Sequence, residues 1–255
     1  MEPLAVALPL TAVQTTMLAG VRIAAFLALA PPFSQRVIPG QVKAMLAIGL
    51  ALAVAPRLDP IPADGTGGFV VALILQAVVG AAFGFLVMMV FSAVQSAGTL
   101  IDLFGGFQMA AAFDPMSMTS GAQFQRLYQM TALVLLFASD GYQVVLAGLV
   151  RTFDALPLGA VLNTSALAEA VTTGLSQMFV GALQIAGPLL VVLFLADVGL
   201  GLLTRVAPAL NAFALGFPLK ILLTLVFGSF AFLALPAVVE GLTGRSVESM
   251  LGVVR

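Results

Sequence analysis

Long apolar runs, each carrying at most one charge, organise the chain. A bilayer-spanning helix needs about 20 mostly apolar residues, and residues 4–33, 69–97, 127–150, 178–203 and 211–236 meet that requirement. A shorter run, 44–55, spans only together with its flanks or forms one arm of a hairpin. Residues 98–113 are apolar but interrupted by glycine, and 156–177 are mixed. The pattern therefore predicts an all-α integral membrane protein with five to seven hydrophobic, partly broken helices. The 178–203 run shows how firm such an assignment is. It holds fifteen Leu, Ile, Val or Phe residues, together worth roughly −4 to −9 kcal/mol of insertion, against roughly +3 kcal/mol for its single charge, Asp197. Insertion wins.

Proline and glycine punctuate these runs: Pro31-Pro32, Pro39-Gly40, Pro60-Ile61-Pro62 through Gly67-Gly68, Gly105-Gly106, Pro115, Pro157, Pro208 and Gly216-Phe217-Pro218, with Pro188 well inside one run. Irregular backbone at membrane depth survives only where protein covers it or a cavity adjoins it. Broken helices thus point to a chain packed against partners or around a passage. No long linker, internal repeat or low-complexity tract divides the 255 residues, so one membrane-embedded domain, 1–255, is expected. Basic residues fall in nearly every connection, so the positive-inside rule favours neither orientation.

Composition sharpens this picture. Hydrophobic residues make up 61% of the chain and charged residues only 8%, against about 25% charged in an ordinary soluble domain. Such a chain cannot clothe itself for water. With a net charge of −1 and no basic cluster, nucleic acid is not a partner. Cysteine and histidine are both absent, which removes disulfides, thiolate nucleophiles, the usual imidazole base and the commonest metal ligands. No GxGD aspartyl pattern or phosphate loop is present. The reading is therefore of a non-enzyme with no cofactor. The opening MEPLAVALPL has Glu2 and no basic segment before its apolar run, so it does not read as a cleaved signal peptide.

Charges inside membrane helices are expensive and invite a functional reading. Arg22, Asp102, Asp197 and Lys220 qualify, and two readings stay open for them: an ion or proton relay, or pairing that fixes helix packing. Asp197 and Arg205 lie eight residues apart, roughly 12 Å along a continuous helix, so their partners belong on other helices or subunits. Residues 105–118 form the other distinctive stretch, with Gly105-Gly106, then Phe107, Met109, Phe113, Asp114-Pro115, Met116 and Met118. Deformable methionines and apolar rings suit a constriction that closes against ions yet yields to a polypeptide. Ordinary core or lipid-facing packing is the alternative.

Three blocks of the sequence resemble the FliR/SctT family of type III secretion export-gate subunits. The first comprises Arg22-Ile23, Ala30-Pro31-Pro32-Phe33, Val37-Ile38-Pro39 and Val42-Lys43, ending at Ala55-Pro56. The second comprises Gly80, Gly84, Ala97-Gly98, Ile101-Asp102, Gly106, Asp114-Pro115, Phe153, Leu156-Pro157 and Gly159. The third and most specific runs from Asp197 through Thr204-Arg205-Val206-Ala207-Pro208 to Leu210-Asn211, Phe213, Leu215-Gly216 and Pro218-Leu219-Lys220-Ile221. Together they cover about residues 20–225. Ala209 and Tyr142 depart from the residues that relatives often carry, so no role is transferred to them.

The resemblance implies helical hairpins wound into an assembly with FliP- and FliQ-like subunits, alongside FlhB-like and FlhA-like components. The setting is the flagellar basal body in the bacterial inner membrane, where the assembly passes unfolded rod, hook and filament proteins. It also implies a plug at Gly105–Gly121, with Phe107, Met109, Phe113, Met116 and Met118 as its residues and Pro39, Asp114, Pro115, Pro208 and Pro218 as turn residues. A virulence-type secretion subunit is the alternative within the family. A small-solute transporter is the alternative outside it, and such transporters show two related halves that this chain lacks.

Overall fold

A computed structural model describes residues 10–35, 37–60, 65–108, 122–207 and 212–254. Helix α1 spans Leu10–Leu29, α2 Gly40–Val54, a 3-10 turn Ala55–Arg57, α3 Gly65–Phe104, α4 Gln123–Ala138, α5 Gly141–Ala155, α6 Thr164–Val206 and α7 Ala212–Gly252. Among the described residues there is no strand, so the fold is all-α, as the apolar periods predict. Most punctuation falls where the sequence puts it. Helix α1 ends at Pro31-Pro32, and Pro39 (φ −58°, ψ 146°) stands as the extended residue before α2. At the end of α3, Gly106 takes a left-handed φ of +83°. Asp140 (φ 55°) separates α4 from α5, a conformation that aspartate tolerates better than most residues.

Two expected breaks do not end a helix. Pro188 lies inside α6, and Pro218 lies inside α7 together with Pro236. Each proline removes one backbone donor and crowds the preceding turn. In an apolar medium, however, the flanking amides have no water to turn to, so helix continues on both sides. The helices are longer than the runs suggest for the same reason: α3 has 40 residues, α6 has 43 and α7 has 41.

Helices α1, α3 and α6 are each long and apolar enough to cross a membrane. Two further spans follow if α4 with α5, and Leu215–Ser229 with Phe232–Gly252, each count as one. Five spans is the lower end of the range the sequence predicts. Helix α2, with 15 residues, is too short to span. It turns back onto α1 as a hairpin arm, burying Ala47, Ala51 and Val54.

The chain forms two compact units. One comprises Met1–Met89, Gly141–Gly174 and Thr243–Arg255, and the other Val90–Asp140 and Leu175–Leu242. In the first, Leu18, Ile23, Phe26 and Leu27 of α1 are buried along with Phe83 and Val87 of α3 and Val145 and Leu149 of α5. In the second, Val94, Ala97 and Ile101 of α3 are buried, as are Tyr128 and Leu136 of α4 and Ala186 and Leu193 of α6.

Candidate functional site

In the first unit, the Arg22 side chain is completely buried. Its Nε donates to Oε1 of Gln76 at 2.6 Å, and its Nη1 donates to the carbonyl of Leu156 at 2.8 Å and of Thr152 at 3.5 Å. The guanidinium lies 4.4 Å from the centroid of the Phe153 ring, a cation–π arrangement. Gln76 passes the connection on, its Nε2 donating to the carbonyl of Leu158 at 2.6 Å. These acceptors belong to the last turn of α5 and the turn around Pro157, where the helix dipole is negative; the Thr152 carbonyl also accepts from the Leu156 amide at 2.8 Å. Arg22 thus answers its charge with a helix C-terminus rather than with a carboxylate. One nitrogen, Nη2, is buried without a partner among the described residues.

Glycine allows Arg22 to be there. A Cβ on Gly80 would collide with the Arg22 carbonyl oxygen, and one on Gly84 would come within 2.8 Å of the Phe26 carbonyl oxygen. Gln76, Gly80 and Gly84 recur every four residues and so share one face of α3. Arg22 and Phe26 do the same on α1, so the two helices run parallel in backbone contact, as small residues permit in membranes.

In the second unit, Asp102 is also fully buried. Its Oδ1 accepts from the Phe124 amide and its Oδ2 from the Gln125 amide, each at 2.9 Å. Phe107 meets Phe124 edge-on with centroids 5.1 Å apart. The contact continues to Tyr128 at 6.4 Å and from there to Phe232 at 5.3 Å. Of the plug candidates, Phe107 lies within the described structure. Met109, Phe113, Met116 and Met118 lie outside the described residues, as do the turn residues Asp114, Pro115 and Pro208.

Also in this unit, Nζ of Lys220 on α7 lies 2.7 Å from Oδ1 of Asp197 on α6, with side chains 20% and 48% exposed. The partner of Asp197 is thus on another helix, as the spacing requires. Arg205 is exposed in the last turn of α6.

The structure brings Arg22 together with Phe153 and Leu156, and separately Asp197 with Lys220. Reading the sequence for charges misses Gln76, Thr152 and Tyr128. Gln76 carries a legible signal, since it is the one amide in the apolar stretch from Phe69 to Val94 and buried amides need partners. Thr152 contributes a backbone carbonyl, which no side-chain pattern reveals.

Apolar helices of this length, with polar side chains folded inward onto helix ends, define a polytopic α-helical membrane protein. The comparisons give its family. Residues 13–246 match the bacterial export proteins, family 1, and the chain belongs to that family. It is 35% identical to the flagellar biosynthetic protein FliR of Escherichia coli K12 over 202 residues, 78% of this chain and 77% of the relative. It is 26% identical to the FliR of Bacillus subtilis 168 over 238 residues, 92% of each. The Yop proteins translocation protein T of Yersinia pestis is 26% identical over 78% of each chain. Two flagellar relatives reach 35% identity, above the 26% of the translocation protein, and membership of an export family leaves the small-solute transporter reading without support.

Proposed function

We propose that the chain is a non-enzymatic channel subunit of a flagellar type III protein-export gate in the bacterial inner membrane. It works with FliP- and FliQ-like subunits, near FlhB- and FlhA-like components, and passes unfolded rod, hook and filament proteins. It acts as a single membrane-embedded domain, since α3, α7 and α6 each contribute residues to both units.

The observation that carries this reading is the length of apolar surface on α6. Large hydrophobic side chains stay exposed from Leu175 through Phe179, Leu183, Phe194 and Leu202 to Val206. Those thirty-one residue steps rise roughly 46 Å, while the hydrocarbon core is roughly 30 Å thick. Even tilted by about 40°, the steep end of the usual range, this stretch covers roughly 36 Å. That is longer than the hydrocarbon core, which supports cover of the remainder by other subunits. Mild detergent extraction of the tagged chain should bring FliP- and FliQ-like proteins with it. Recovery of a monodisperse single chain, free of other membrane proteins, refutes the reading.

A further inference from the structure

The final stretch of α6, residues 194–206, is packed differently from the rest of the helix. Upstream, Ala182, Ala186, Leu189 and Leu193 are buried at helical spacing. From residue 194 to 206 no residue is buried. The inward side of this end is held by Leu200, whose Cδ1 lies 3.6 Å from where a Cβ on Gly216 would stand, and by the pairing of Asp197 with Lys220. Outward stand Phe194, Leu195, Leu202 and Val206, all mostly exposed.

Asp197, Gly201 and Arg205 recur every four residues and share one ridge of this exposed end. A carboxylate, a bare backbone and a guanidinium therefore follow one another over roughly 12 Å. The Asp197 side chain is 48% exposed beside Lys220, and Arg205 has no ion-pair partner among the described residues. Among those residues nothing lies within 4 Å of a Cβ built on Gly201. The chain's own packing thus has no need of glycine there, although glycine weakens an exposed helix relative to alanine.

Lipid does not explain the ridge. Hydrocarbon gains nothing from a bare backbone, and charged side chains at membrane depth turn towards protein or water. A neighbouring helix explains it, because glycine lets two backbones approach closely and the flanking charges then meet opposite charges across the contact. A second copy of the chain does not fit. Copies inserted the same way present parallel α6 helices, and packing them on Gly201 sets carboxylate against carboxylate and guanidinium against guanidinium.

We propose that the ridge of Asp197, Gly201 and Arg205 is a docking surface for a membrane helix of a different chain. That helix presents a small residue opposite Gly201, a cation opposite Asp197 and a carboxylate opposite Arg205. This rests on the reading of the chain as a subunit of a larger assembly, and gives that reading a place and a chemistry.

The test uses the full tagged chain, extracted with its partner proteins, as wild type, Gly201→Leu, Gly201→Ala and Gly199→Leu. Gly199 is also exposed, with nothing among the described residues within 4 Å of a built Cβ, but it lies roughly 200° round the helix from Gly201. Gly201→Leu should lower the recovery of partner proteins about tenfold, as overpacking a close contact does, and Gly201→Ala should lower it less. Gly199→Leu should leave recovery unchanged. Every variant chain should keep a melting temperature within a few degrees of wild type, which separates lost docking from lost folding. A photo-crosslinking residue in place of Val198, beside the ridge, should join a helix of another membrane protein that carries a basic and an acidic residue about two turns apart with a small residue between them.

An adduct with lipid alone, with a second copy of the chain, or with a helix lacking those charges overturns the inference. So does an equal fall in recovery for Gly199→Leu and Gly201→Leu. If wild type brings partners and Gly201→Leu brings as many, the subunit reading stands and the ridge alone falls. If wild type itself comes out alone, the subunit reading falls and takes the ridge with it.

Discussion

Arg22 and Asp197 are both charges on apolar helices, yet the protein treats them oppositely. Arg22, in the first unit, is sealed from its surroundings and answered by an amide, two backbone carbonyls and an aromatic face. Asp197, in the second, is answered by one lysine and keeps about half of its side chain exposed. The first arrangement spends the charge on internal architecture. It ties α1 to α3 and to the end of α5, in a medium where an unmet guanidinium is costly. The second leaves a polar group half exposed on an otherwise apolar helix. A buried charge and an outward one in the same chain therefore invite different tests, one of the fold and the other of assembly.

If this contrast holds, the largest effect comes from disturbing the first unit at its closest approach. Gly80→Val places its side chain against the Arg22 backbone, which neither helix can move aside without parting α1 from α3. A loss of about 3 kcal/mol or more is expected, read as collapse of the elution peak of the fluorescently tagged chain extracted with its partner proteins. Gly49→Val on α2 is the control. Among the described residues nothing lies within 4 Å of a Cβ built there, and the peak should persist. Equal peaks for the two variants would mean that the parallel contact of α1 and α3 is dispensable.

Next in size is the guanidinium itself. Arg22→Leu leaves Oε1 of Gln76 and the Leu156 carbonyl buried without their donor, at about 1–3 kcal/mol for each unsatisfied group. Arg22→Lys keeps the charge, but a single ammonium lacks the fork that reaches Gln76 and Leu156 together. The expected order of melting temperature in detergent is wild type, then lysine, then leucine. Leucine melting like wild type while export is lost would show Arg22 to be a functional charge rather than a tie between helices.

Much of the fold can be read from the letters because the bilayer demands so little of them. A run of apolar residues must be helix, since no other backbone spans lipid alone. What the letters hide is whichever feature depends on backbone. Pro188 and Pro218 look like breaks because proline lacks a donor, yet both helices continue past them. Asp102 shows as a charge near the end of an apolar run, but its partners are amides that no side-chain pattern displays. Thr152 and Leu156 matter for carbonyls that any residue would supply. Gly80 and Gly84 mark a close approach only once the opposing Arg22 and Phe26 are in place. Gln76 is the exception, because an amide alone in a greasy stretch signals a partner as plainly as a charge does. The plug candidates divide in the same way. Phe107 is placed by its contact with Phe124, and the four others fall outside the described residues.

The smallest effect on the isolated chain should come from the outward pair, and there the contrast can be turned into a decision. Half-exposed ion pairs contribute about 0–1 kcal/mol, so Asp197→Asn should leave the melting temperature of the detergent-extracted chain within a few degrees of wild type. Its cost should appear in company: the yield of FliP- and FliQ-like proteins recovered with the tagged chain should fall several-fold. Exchanging the two charges, Asp197→Lys with Lys220→Asp, separates the possible reasons. If the pair serves only to hold α6 against α7, the reversed pair restores recovery, because attraction between the two helices does not depend on which carries the carboxylate. If the exposed half of Asp197 is read by a neighbouring subunit, the reversed pair presents a cation to a site built for an anion, and recovery stays low. The exposure of Asp197 predicts the second outcome. Full recovery would make the outward charge internal architecture after all, and erase the difference between the two units.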